Sequence, residues 1–122
     1  MIDNKIIVGY IGNGKSVNRY HLPFILQRKN KFYVKTIFDI KVRHDVWKKI
    51  EGIHYTEDLD ELLNDPEIDL VVVNTGHHLH YTYAKKVLEA NKHCLCEKPF
   101  MENSKQAKEI FALAKSKGLY CS

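Results

Sequence analysis

Short apolar runs alternate with amphipathic stretches along the whole chain. Lys5 to Ile11 is an apolar run that ends in glycines, and Ser16 to Arg28 follows with helix-compatible residues, which predicts strand, tight turn and helix. Pro23 should kink or restart that helix, because proline lacks the amide donor and clashes with the preceding turn. Phe32 to Phe38 is rich in aromatic and β-branched residues and predicts a second strand. Val42 to Ile50 predicts a helix and Ile53 to Tyr55 a short third strand. Thr56 is expected to cap a helix over Asp58 to Leu63, which Asn64-Asp65-Pro66 stops.

The second half is more regular. Leu70 to Val73 is almost wholly β-branched, the pattern of a strand covered on both faces, and this favours a parallel central sheet. His80 to Ala90 reads as helix, His93 to Glu97 as a fifth strand and Leu119 to Ser122 as the start of a sixth. Between the last two, Ser104 to Lys117 places Ala107, Ile110, Phe111 and Ala114 at i, i+3, i+4 and i+7, with Gly118 positioned to end the helix. Such alternation implies right-handed βαβ crossovers and a doubly wound α/β sheet in the order 3-2-1-4-5-6.

A length of 122 residues suits one domain with one core. The 44% hydrophobic and 28% charged content is that of an ordinary globular protein, not a disordered chain or a disulfide scaffold. The net charge of +4 changes little, because the basic residues are scattered among acids. Their densest knot, Arg28-Lys29-Asn30-Lys31, reads as a solvated helix end, so no nucleic-acid partner is expected and the anticipated anion is a cofactor phosphate. No apolar stretch approaches the ~20 residues of a membrane span, and the first residues lack the features of a signal peptide. A cytoplasmic location is therefore expected, with Cys94, Cys96 and Cys121 reduced and mostly buried.

The first turn carries two phosphate-binding patterns on shared glycines. Gly9-Tyr10-Ile11-Gly12-Asn13-Gly14-Lys15-Ser16 fits GxxxxGKS, in which backbone amides wrap phosphates, the lysine reaches the terminal ones and the serine holds magnesium. Gly12-x-Gly14-x-x-Val17 fits most of the dinucleotide fingerprint, with valine in place of its third glycine. Companion residues separate the two. A magnesium site calls for an acid after the best apolar strand, where Asn74 and Thr75 stand instead. A dinucleotide site calls for an acid after the second strand to receive the adenosine ribose, and Asp39 is there.

The later strands carry the most specific pattern. Ala90-Asn91-Lys92-His93-Cys94-Leu95-Cys96-Glu97-Lys98-Pro99 is similar to the "AGKHVLCEKP" motif of the glucose-fructose oxidoreductase / inositol dehydrogenase family, GFO/IDH/MocA. Leu70 to Thr75, His80 and Arg19-Tyr20-His21-Leu22-Pro23 extend the resemblance from about Lys5 to Tyr120. It implies an NAD(P)-binding Rossmann domain in which Glu97 lies near the nicotinamide ribose and Lys98 is the catalytic residue, donating to the substrate oxygen during hydride transfer. Thr75, His77 and His80 fall where the family has TPNxxH, over the cofactor, although Gly76 and His77 replace its proline and asparagine. The histidines His77, His78 and His80, with His93, Cys94 and Cys96, raise a metal site as an alternative, but no metal is expected, since both cysteines belong to a strand that should be buried.

The resulting expectation is a cofactor-binding domain that uses Gly12, Asn13, Gly14, Lys15, Ser16, Asp39, Thr75, His77, His80 and Glu97 to hold a nicotinamide dinucleotide. Asp39 points to NAD, while Lys41 and Arg43 leave NADP open. Family members are about three times longer, so the chain is expected to end where its sixth strand begins. The family's second domain would supply the pocket for a sugar or polyol-like substrate and the homo-oligomer contacts. A P-loop ATPase or kinase and a non-catalytic NAD(P) sensor remain as alternative readings.

Overall fold

A computed structural model describes residues 2, 4–12, 17, 22–28, 30–40, 49–75, 79–96 and 103–122. Within them the chain runs β1 (Ile6–Ile11), α1 (Leu22–Leu26), β2 (Phe32–Phe38), β3 (His54–Thr56), α2 (Leu59–Leu63), β4 (Leu70–Val73), α3 (His80–Glu89), β5 (His93–Cys96) and α4 (Ser104–Lys117). The strands form one parallel sheet in the order β3-β2-β1-β4-β5. Beyond β5, Cys121 pairs in parallel with Cys94, and Cys94 N–H donates to the Tyr120 carbonyl at 3.0 Å while Ser122 N–H donates to that of Cys94 at 3.2 Å. The doubly wound order therefore holds across the five strands, and Cys121 bridges to the fifth.

Alternation along the strands divides the apolar residues between two layers. Ile7, Ile11, Phe38, Val71, Val73, Cys94 and Cys96 face the core that includes Leu62 of α2, Leu88 of α3 and Ile110 of α4. Val8, Tyr10, Val34, Ile37 and Val72 face the other side with Val17 and Leu22. One register shift interrupts the alternation: Val8 pairs with Val34 but Gly9 with Thr36, so Lys35 is an extra residue in β2. Its ammonium reaches the carboxylates of Asp65 at 2.6 Å and Glu67 at 2.5 Å.

Helix ends follow local chemistry, with some departures from expectation. Asp58, not Thr56, caps α2: its carboxylate accepts from Asp60 N–H at 3.0 Å, while the Thr56 hydroxyl accepts from Asp58 N–H, one turn of chain earlier. Helix α1 covers Leu22–Leu26, with Pro23 within it, and the earlier part of the helix expected over Ser16 to Arg28 falls largely on residues outside those described. The expected helix over 42–50 falls mainly on residues outside those described, and Lys49 and Ile50 are irregular. Helix α4 has the predicted bounds, an Asn103 cap and Gly118 at φ 68°. Its stripe is narrower than predicted, because α4 packs on α3: Ile110 and Ala114 are buried, but Phe111 is 47% exposed.

Asn91 and Lys92 give the family-like motif a structural meaning. Asn91 occupies the position of the motif's glycine and adopts the left-handed φ of 64° that asparagine tolerates, turning the chain from α3 into β5. Lys92 is 4% exposed and donates to the carbonyls of Asp65 at 2.5 Å and Ile68 at 2.9 Å, which ties β5 to the segment before β4. Burial holds its pKa below the ordinary lysine value.

Candidate functional site

In a parallel sheet the strands all end on one side, and ligands bind there, where the connections leave in opposite directions. Strand β1 leads to α1 on one face and β4 to α3 on the other. Their ends are tied together by Asn74 N–H, which donates to the Ile11 carbonyl at 2.8 Å. Gly12 follows β1 at φ 118°, with its N–H donating to the Phe38 carbonyl at 2.7 Å. A Cβ on Gly12 would stand 2.0 Å from the Asn74 carbonyl oxygen and 3.5 Å from Thr75 Cγ2. Only a bare backbone fits this crossing of β1 and β4.

The same geometry decides between the two glycine patterns. In the GxxxxGKS reading the phosphate-wrapping loop starts at Gly9. Here Gly9, Tyr10 and Ile11 are strand residues, paired with β2 on one side and β4 on the other, so their backbone groups serve the sheet. The chain leaves the sheet only at Gly12, as the dinucleotide pattern requires. Val17, in the position of the third fingerprint glycine, is fully buried and packs in the cluster that contains Val8, Tyr10 and Leu22. Its role is packing, which a valine can perform in this core.

Asp39 stands directly after β2, half-buried, with its amide donating to the Thr56 carbonyl at 3.1 Å. Phe38, the last residue of β2, meets Tyr83 of α3 edge to face, with centroids 6.3 Å apart and planes at 64°. Burial first, and then the Asp39 charge, raises the pKa of the Tyr83 phenol. On the neighbouring strand end, Thr75 is half-buried and its carbonyl accepts from His80 Nε2 at 3.2 Å. A carbonyl only accepts, so Nε2 carries the proton in this contact. His80 is 1% exposed, so this contact with the Thr75 carbonyl is held in the interior. Asn74 Nδ2, also buried, has no hydrogen-bond partner among the described residues.

Of the residues selected from the sequence, Gly12, Asp39, Thr75 and His80 thus adjoin the ends of β1, β2 and β4. Asn13, Gly14, Lys15, Ser16, His77, Glu97 and Lys98 lie outside the described residues. Cys94 and Cys96 are buried on one face of β5 with sulfurs 3.8 Å apart, and Cys121 is half-buried. Among the described residues no group of three His, Cys, Asp or Glu side chains is placed to hold a metal ion, and no helix is long and apolar enough to cross a membrane. Two neighbours were not selected from the sequence. Asn74 enters the sequence pattern only within the run Leu70 to Thr75 and as the residue standing where a magnesium-binding acid is missing, and Tyr83 carries no motif, since a tyrosine within a helix signals only packing.

A glycine cradle that a side chain would fill, an unpartnered buried amide and a ribose-type acid on adjacent strand ends fit a dinucleotide. Residues 6–122 match the model of the GFO/IDH/MocA oxidoreductase family, NAD-binding Rossmann fold. The chain belongs to this family. It is the family's NAD(P)-binding domain, and its relatives are oxidoreductases. YhhX of Escherichia coli, named an uncharacterized oxidoreductase, is 53% identical over 111 residues, 90% of this chain and 32% of that protein. Its crystal structure superposes with a TM-score of 0.91 at 50% identity, covering 95% of this chain and 34% of the other. A mutant of the 3-ketoreductase KijD10 from Actinomadura kijaniata, in complex with TDP-benzene and NADP, superposes with a TM-score of 0.87 at 31% identity, covering 97% of this chain and 36% of that one. The scyllo-inositol 2-dehydrogenase (NADP(+)) IolW of Bacillus subtilis is 29% identical over 117 residues, 96% of this chain and 32% of the enzyme. The chain spans about a third of the length of these GFO/IDH/MocA relatives.

Proposed function

We propose that the chain holds the diphosphate of a nicotinamide dinucleotide at Gly12, Asn13, Gly14, Lys15 and Ser16, and the adenosine ribose at Asp39. The observation that carries this reading is the exit of β1 at Gly12, pressed against the Asn74 carbonyl, with Asp39 ending the next strand. Thr75 lies along the cofactor path beside Gly12, and His77 follows in the same connection. His80 is a positioning residue that acts through the Thr75 carbonyl. Asp39 favours NAD over NADP, since its carboxylate repels a 2′-phosphate.

Glu97 and Lys98 follow β5 directly in sequence. We assign Glu97 to the nicotinamide ribose and Lys98 to the substrate oxygen, where its ammonium donates a hydrogen bond and offsets developing negative charge. When bound, the nicotinamide supplies hydride transfer, and the chain supplies binding and orientation. A sugar or polyol-like substrate agrees with relatives named for scyllo-inositol and D-xylose. The chemistry belongs to a protein that also contains the family's second domain, which supplies the substrate pocket and subunit contacts.

Calorimetric titration of the 122-residue chain tests the reading. NADH should bind saturably and more tightly than NADPH, Mg-ATP should not compete, and Lys15→Ala should weaken NADH only several-fold. Tight Mg-ATP binding abolished by Lys15→Ala would restore the P-loop alternative, and NADPH binding far tighter than NADH would overturn the Asp39 assignment. No turnover of sugars or polyols is expected from this chain alone, and measurable dehydrogenase activity would contradict the division of labour proposed.

A further inference from the structure

The adenosine end of the site has a second wall. Asp39 is fixed from β3, because its amide donates to the Thr56 carbonyl at 3.1 Å. From the other side, α3 presents Tyr83 against Phe38, the residue that immediately precedes Asp39. The start of α3 is itself anchored through His80 to Thr75, beside the Gly12 turn. Tyr83 is half-buried, so its ring is seated while part of it remains accessible at the strand ends. A carboxylate alone accepts hydrogen bonds, whereas a neutral phenol both donates and accepts. A ribose diol needs both kinds of partner, and a 2′-phosphate needs cations.

Resting on the dinucleotide reading above, we propose that Tyr83 is a specificity-determining residue of this site. Its ring is set against Phe38, the residue that precedes Asp39, and its hydroxyl together with Asp39 completes a polar wall that receives the adenosine 2′- and 3′-hydroxyls and disfavours a 2′-phosphate. Asp39 accepts from the ribose, and the phenol orients the carboxylate or bonds the second hydroxyl. A phenol is neutral at pH 7 in any case, and burial and then the Asp39 charge raise its pKa further, so the hydroxyl is a donor there.

Tyr83→Phe keeps the ring on Phe38 and removes only the hydroxyl. The melting temperature should stay the same, the Kd for NADH should rise about tenfold, and the Kd for NADPH should not change. In an Asp39→Asn background the same substitution should alter the NADH Kd less than about twofold, since the two groups act as a unit. If wild-type chain binds NADH but Tyr83→Phe leaves that affinity unchanged, or weakens NADH and NADPH equally, the Tyr83 assignment fails and the dinucleotide reading stands. If wild-type chain binds neither cofactor, both fail.

Discussion

Replacing Gly12 by alanine adds one methyl group at the crossing of β1 and β4. That carbon would sit 2.0 Å from the Asn74 carbonyl oxygen and 2.8 Å from its carbon, both backbone atoms that cannot rotate away. A carbon normally stays about 3.3 Å or more from such an oxygen, so the strand ends must separate by more than about 1 Å. The bond at risk is Asn74 N–H to the Ile11 carbonyl, 2.8 Å long, and its loss in a buried setting costs roughly 1–3 kcal/mol. Alanine at φ 118° is strained by a further 1–3 kcal/mol, roughly. Together these reach about 2–6 kcal/mol against a typical domain stability of about 5–15 kcal/mol, which lowers the melting temperature by on the order of 10–20 °C. Gly52→Ala provides the control: φ is 90°, but nothing lies within 4 Å of the new Cβ, so only conformational strain is added. Thermal melts followed by far-UV circular dichroism should place Gly12→Ala well below Gly52→Ala. Coincident melts for the two variants would refute the claim that close approach of β1 and β4 demands a glycine.

His80→Ala should cost about 2–4 kcal/mol through lost packing and the lost Thr75 bond; urea titration reads the loss, and NADH affinity measured on folded protein should also fall. Lys92→Met keeps much of the side-chain volume but leaves the Asp65 and Ile68 carbonyls without their donor, so a loss of about 2 kcal/mol is expected in the same assay. The native pKa of Lys92 is depressed, so the folded state releases this proton before the unfolded chain does, and wild type should gain stability over Lys92→Met as pH rises toward 10.5. Burial raises the Asp69 pKa, but the outcome is a lowered value because its carboxylate accepts from Ile7 N–H at 2.9 Å. Its contribution is present above about pH 3.8 and is lost as pH falls through the lower native value, so Asp69→Asn should flatten acid unfolding in that window.

Where one physical cause dominates a segment, the sequence was legible. The β-branched run of β4 reflects burial on two faces, and the cap residues of α4 fix its bounds. The missed cap of α2 shows the opposite case: Thr56 and Asp58 are both capping residues, and only the path of the chain decides which reaches the first free amide. Phe111 lies on the apolar stripe of α4 yet is exposed, because a helical period gives a direction but not the width of the partner covering it. The double motif stayed open for a similar reason. Glycine spacing does not say where a strand ends, and pairing of Gly9 on both sides supplies that information. Tyr83 was invisible because its meaning depends on Phe38, distant in sequence and adjacent in space.

The extra residue in β2 governs more than a local pairing. Side chains along a strand point alternately up and down, so one inserted residue reverses the phase of everything downstream. The bulge absorbs that reversal: Lys35, pinned by two acids, is left out of the pairing, so Phe38 keeps the phase that Val34 has with β1 and faces the layer of α3. Paired regularly, without the bulge, β2 would turn Phe38 to the layer of Val34, whereas deleting Lys35 would leave Phe38 where it is and remove only the cation that Asp65 and Glu67 hold.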